Sequence, residues 1–146
     1  MTEAELLEVI EQAAKEGARE LDLSGNELTA LPPEIGKLTQ LKKLIIGKFL
    51  YNEKGDLVGL IGNKLSALPA EIGLLTNLQS LNLIRNKLSA LPAEIGQLTN
   101  LQSLYLHGNK LSALPAEIGQ LTNLQTLCLG SNGLSALPVE IGQLTN

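Results

Sequence analysis

Residues 101–123 read Leu-Gln-Ser-Leu-Tyr-Leu-His-Gly-Asn-Lys-Leu-Ser-Ala-Leu-Pro-Ala-Glu-Ile-Gly-Gln-Leu-Thr-Asn. Nearly the same string precedes it at 78–100 and follows it at 124–146. A period this regular outranks every other signal, because one repeat cannot bury its own apolar face and must stack on a neighbour. Within the stretch, a period of two puts Leu104 and Leu106 on one face of an extended segment and Tyr105 and His107 on the other. Asn109 follows in the turn, where an inward amide can pair backbone groups of adjacent coils. Leu111 and Leu114 point inward again. Pro115 suits the first position of a short helical turn, Glu117 sits near that turn's positive end, and Gly119 can end it. One coil is therefore strand, turn, short helical or 3₁₀ segment, and return. Strands that recur once per coil pair in parallel. The strand side is narrower than the helical side, so the stack curves with its strands on the concave surface.

The repeats extend over residues 18–40, 41–77, 78–100, 101–123 and 124–146. Four of them have 23 residues and the second has 37, which leaves an insertion of 14. The asparagine recurs as Asn26, Asn63, Asn86, Asn109 and Asn132, and the glutamate as Glu34, Glu71, Glu94, Glu117 and Glu140. Such a glutamate ladder could hint at metal binding, but adjacent like charges repel, and the position favours the short helical turns.

Ahead of the repeats, residues 2–16 have the pattern of an amphipathic helix. Thr2 and Glu5 have capping-box spacing, Leu6, Ile10, Ala13 and Ala14 form the apolar stripe, and Gly17 is the stop. Stacked repeats need their ends covered, which makes this helix the N-terminal cap; the other use for such a helix is a partner. The expected layout is a single domain over 1–146, with a cap at 2–17 and repeats over 18–146. At the other end the last repeat finishes with no cap, exposing Leu127, Leu129, Leu134, Leu137 and Ile141. The readings open there are a fragment, an end packed on a second copy, or tolerated exposure.

The pattern Leu-x-x-Leu-x-Leu-x-x-Asn-x-Leu-x-x-Leu-Pro resembles the leucine-rich repeat family. Its continuation Pro-Ala-Glu-Ile-Gly-Gln-Leu-Thr-Asn is similar to the 23-residue bacterial subtype. The opening, Thr-Glu-Ala-Glu-Leu-Leu and then Glu-Leu-Asp-Leu-Ser-Gly-Asn, resembles leucine-rich repeat regions of cyanobacterial Roco-type proteins, in which a GTPase domain follows. The resemblance implies an α/β right-handed solenoid and protein–protein recognition on the concave face.

The insertion breaks the pattern. Asn52-Glu53-Lys54-Gly55 suits a type I turn with glycine in the left-handed position, so strands are expected at about 48–51 and 57–61 in a β-hairpin. Counting outward, Tyr51 opposes Leu57 and Phe49 opposes Gly59, an aromatic over a bare glycine. The hairpin leaves the strand's C-terminal end and projects from that rim. Two of the chain's three aromatics lie in it. A lone two-stranded hairpin is marginal in water, so its apolar face packs either on neighbouring repeats or on a partner.

Composition excludes several classes. The net charge is −4 and no basic stripe occurs, against a nucleic-acid binder. No apolar run approaches a spanning helix, and the acidic N-terminus is unlike a secretory signal. The lone Cys128 allows no intrachain disulfide and fits a reducing, cytoplasmic compartment. One histidine and one cysteine cannot supply the usual ligands of a metal site, and no phosphate-binding loop is present. The expectation is a non-enzymatic protein with no cofactor and no metal.

What varies between copies is the outward strand positions: Glu20, Asp22 and Ser24; Lys43 and Ile45; Ser80, Asn82, Ile84 and Arg85; Ser103, Tyr105 and His107; Thr126, Cys128 and Gly130. A fixed scaffold with variable outward residues is what a recognition surface would show. Tyr and Arg are favoured interface anchors. The predicted partner-binding residues are therefore Lys43, Ile45, Asn82, Ile84, Arg85, Tyr105 and His107, with Phe49 and Tyr51 of the hairpin. The predicted partner is a protein or peptide; the alternative is a second copy, through the hairpin or the uncapped edge.

Overall fold

A computed structural model describes residues 1–145. Helix α1 spans Glu3–Glu16. Its capping box is complete: the Glu5 amide donates to the Thr2 hydroxyl and the Thr2 amide donates to the Glu5 carboxylate. Gly17 closes it in the left-handed conformation at φ 60°. Leu6, Ile10 and Ala13 are buried against the first coil, so the helix covers the N-terminal end of the core. A Lys37–Glu11 ion pair ties it to the coil's helical turn. The hydrogen bond from Lys37, more than its charge, holds the Glu11 carboxyl below its usual range.

The strands are β1 (Glu20–Asp22), β2 (Lys43–Tyr51), β3 (Leu57–Ile61), β4 (Ser80–Leu83), β5 (Ser103–Tyr105) and β6 (Thr126–Cys128). They form a parallel sheet in the order β1-β2-β4-β5-β6, and β3 pairs only with β2, antiparallel. Each coil returns through a five-residue 3₁₀ turn, at Pro33–Lys37, Ala70–Leu74, Ala93–Gln97, Ala116–Gln120 and Val139–Gln143. Parallel strands on one side and 3₁₀ turns on the other make the expected solenoid.

Two details of the coil differ from the sequence reading. Pro69, Pro92, Pro115 and Pro138 lie one residue before the turn rather than at its first position; only Pro33 is inside. Gly119 does not end its turn but lies within it. A Cβ there would come within 2.6 Å of the Glu140 carbonyl oxygen, so glycine permits adjacent turns to approach.

The core is a column of aliphatic side chains. Leu104, Leu106, Leu111, Ile118 and Leu121 are fully buried, as are their counterparts in the coil before. Inward asparagines seal the strand-to-turn corner. Asn109 donates to the Leu83 and Leu106 carbonyls and accepts from the Leu88 amide; Asn63 and Asn132 make matching bonds between coils, while Asn86 accepts from the Leu65 amide and donates within its own coil. A second ladder, unread in the sequence, runs along the opposite edge: Asn77, Asn100 and Asn123 donate to the carbonyls of Thr39, Thr76 and Thr99. Its signal was the Thr-Asn ending repeated at a fixed period. Among the described residues, no buried side-chain polar atom lacks a partner.

Candidate interaction surface

Register in the parallel sheet fixes which outward residues stand side by side. One column runs Glu20, Lys43, Ser80, Ser103 and Thr126, and the next runs Asp22, Ile45, Asn82, Tyr105 and Cys128. These side chains lie on the concave face, because the leucines between them fill the core. Lys43 is exposed and pairs loosely with Glu20 at 3.7 Å. Asn82 accepts a hydrogen bond from the Ile84 amide. Tyr105 and Cys128 are half-buried neighbours.

The insertion forms the expected hairpin. Its turn is built on Asn52, whose side-chain oxygen accepts from the Lys54 and Asp56 amides, with Gly55 left-handed at φ 84°. Tyr51 opposes Leu57 as read from the sequence. Phe49, however, opposes Leu60, and Gly59 faces Leu50. The register shifts between Leu50 and Tyr51, so counting outward from the turn fails by one residue beyond it.

The departure point matters most. β2 belongs to both the solenoid sheet and the hairpin, and the hairpin's two ends carry Gly47 and Gly62. A Cβ on Gly47 would stand 1.7 Å from the Ile84 carbonyl oxygen, and one on Gly62 would stand 1.8 Å from that of Arg85. Backbone lies directly on backbone, which only glycine allows. The hairpin is thereby seated against the third coil.

Three further contacts spread its base across the strand ends. Lys48 pairs with Asp22 of the first coil at 2.5 Å. Arg85 of the third coil donates to the Leu60 carbonyl at 2.7 Å. The Phe49 ring lies 5.7 Å from that of His107 in the fourth coil. Partial burial raises the Asp22 carboxyl, but hydrogen bonds from Lys48 and Ser24 outweigh it and leave the group below its ordinary range.

Several predicted site residues are buried or engaged within the chain. Ile84 is fully buried and Ile45 nearly so, although neither belongs to the main core column. The Gly47 backbone at the hairpin's base lies against the Ile84 carbonyl. Neither isoleucine presents a contact surface. Arg85 remains exposed, but its guanidinium holds the hairpin. It does so from a left-handed backbone, φ 52°, in a slot that holds Gly25 and Gly108 in other coils. His107 is half-buried beside Phe49 rather than a free strand residue. Of the nine predicted residues, Lys43, Asn82, Tyr105 and Tyr51 keep accessible surface without such a role. The sequence reading missed Lys48, Gly47 and Gly62; the signal was a Gly-Lys and an Ile-Gly bracketing the inserted segment.

Beside its polar turn, the hairpin's strand ends are apolar and open to solvent. Tyr51 and Val58 are each 62% exposed and Leu57 is 56% exposed. Among the described residues no cluster of His, Cys, Asp or Glu could hold a metal ion, and no helix is long and apolar enough to cross a membrane.

Three family models match the chain: "Leucine Rich repeats (2 copies)" over 99–146, "Leucine rich repeat" over 56–111 and "Leucine Rich Repeat" over 18–38. No curated protein matches it at significance. Among solved structures, a leucine-rich repeat protein of Leptospira interrogans is 43% identical with a TM-score of 0.67, over 92% of this chain and 37% of that one. An internalin of Listeria monocytogenes is 26% identical with a TM-score of 0.68, over 91% of this chain and 34% of that one. A chain from the Toll–Spätzle complex of Drosophila is 31% identical with a TM-score of 0.62, over 76% of this chain and 13% of that one. The present chain thus spans little more than a third of the two bacterial proteins. With the models together matching most of the chain and a relative 43% identical over 92% of it, the chain belongs to the leucine-rich repeat family.

Proposed function

We propose that the chain is a non-enzymatic binding module that takes a protein or peptide on its concave face, beside the hairpin. The carrying observation is the juxtaposition of two kinds of surface. Non-repeating polar side chains (Lys43, Asn82, Tyr105) stand in register on the sheet, and an apolar ledge with Tyr51 and Leu57 rises at its rim. Tyrosine at such a boundary offers area at low entropic cost. Leucine-rich repeat proteins generally mediate protein–protein contacts, and one similar chain comes from a protein–protein complex. Repeats of 23 residues and the Leptospira relative support the bacterial subtype. The single cysteine supports a reducing, cytoplasmic setting.

The test places a photo-crosslinking residue at Tyr105 and, as control, at Gln97 on the far side. A partner should be captured from position 105 alone. A double variant Lys43→Glu, Tyr105→Ala should then bind that partner at least ~10-fold more weakly with an unchanged melting temperature. Full affinity in a folded double variant would sink the reading.

Two other readings have an observation each. Self-association is favoured by the exposed apolar residues Tyr51, Leu57 and Val58 beside the hairpin's turn. Sedimentation that stays monomeric at high concentration removes it. A regulatory segment of a longer Roco-type GTPase is favoured by the opening sequence, and the adjoining reading frame decides it.

A further inference from the structure

One concavity lies away from the concave face. It is a trough of about 910 Å³ at the N-terminal end, between α1 and β1. Leu7, Val9 and Leu21 form its floor, each half-buried, and Glu8, Glu16 and Glu20 stand among its walls, where Lys15 is the one basic residue.

β1 is also the sheet's open edge, since it pairs only with β2. The Arg19 carbonyl and the Leu23 amide both bond toward β2. In a parallel ladder, alternate residues direct their peptide groups to opposite sides. The amides and carbonyls of Glu20 and Asp22 therefore point away from β2, along the open edge.

We propose that this trough is a docking groove for an extended, basic segment of a partner protein, which adds to β1 as one more strand. The side chains of β1 define the segment's pattern. Leu21 points to the core side while Glu20 and Asp22 point to the concave side. Asp22 is already held by Lys48 and Ser24, so a strand laid there meets the loosely paired Glu20 carboxylate and those of Glu8 and Glu16 across the trough, with aliphatic surface between, and should read basic–aliphatic–basic. The protein already shows this complementarity on the other side of β1. There β2 sets Lys43 against Glu20 and Leu44 against Leu21, and Lys48 reaches Asp22. The net charge of −4 draws the same class of ligand from a distance.

The probe is a fluorescent, acetylated and amidated nonapeptide alternating lysine and leucine. Its control has the same composition with the lysines in one block. Anisotropy titration of the intact chain should show saturable binding of the alternating peptide and at least ~10-fold weaker binding of the blocked one. Amide shift changes should fall on α1 and β1 and spare Ser80–Tyr105. Glu8→Lys, Glu20→Lys should weaken binding ~10-fold with melting unchanged, and N-methylation of alternate peptide amides should do the same while keeping charge and side chains. Equal binding of both peptides, or of the methylated one, overturns strand addition, as does an absence of saturable binding. Since the concave site is read out by a different partner and different variants, failure here leaves that proposal standing, and the reverse holds.

Discussion

The fourth coil, 101–123, and the second, 41–77, occupy equivalent places in the same solenoid yet are held by different means. In the fourth, apart from His107 beside Phe49, the contacts recur one period away: leucine on leucine, asparagine to the neighbouring carbonyl, turn against turn. In the second, the inserted residues meet partners that occur once: Lys48 with Asp22, Phe49 with His107, and the Leu60 carbonyl with Arg85. A repeated contact can be read from a period. A unique contact depends on where the chain is carried in space. The regular coil is thus a matter of stability and the irregular one a matter of surface.

The sharpest way to break the comparison is to damage each region separately. Asn109→Ala leaves the Leu88 amide unpaired inside the stack and takes one donor each from the Leu83 and Leu106 carbonyls, which keep Asn86 and Asn132. It should cost about 3 kcal/mol in urea unfolding. A loss below about 1 kcal/mol would mean that water or a shift of the coil replaces the ladder.

Gly47→Ala drives a methyl into the Ile84 carbonyl. It should cost about 1–3 kcal/mol and increase proteolysis within 48–61, because the hairpin must lift from the third coil. If the hairpin stays protected, the close backbone approach is not what seats it.

Arg85→Gly has opposed consequences. It relieves a left-handed backbone worth about 1 kcal/mol or more and removes a charged hydrogen bond of about 1.5 kcal/mol or more. Global stability should move by less than about 1 kcal/mol, while hydrogen exchange in β3 accelerates. Unchanged exchange would reduce Arg85 to a bystander.

The smallest effect is acid sensitivity of the hairpin base. The folded-state Asp22 carboxyl lies below its ordinary value, so its contribution is present above the unfolded value of about 4 and is lost as pH falls through the folded one. Protection of β3 should weaken below about pH 4, and Lys48→Met should flatten that dependence. An identical acid profile in both proteins would assign the effect to other carboxylates.

The cap helix, the five coils and the asparagine ladder were legible because each rests on spacing within one segment. The turn at Asn52–Gly55 was legible for the same reason, and so was the Tyr51–Leu57 pair beside it. The site was legible only in part. Outward positions follow from alternation, but alternation cannot say that Ile84 is fully buried where the base of an insertion from another coil meets its backbone, or that Arg85 spends its guanidinium on Leu60.

By itself, the sequence determined the solenoid, its period, its capped start and the presence of a hairpin, because local patterning and the need to stack repeats leave little freedom. Tertiary structure decided where the hairpin lies, which outward side chains it removes from the surface, and that β1 and α1 leave an acidic trough between them. Those outcomes depend on backbone approaching backbone at Gly47 and Gly62 and on one-residue register, quantities that no periodic pattern encodes.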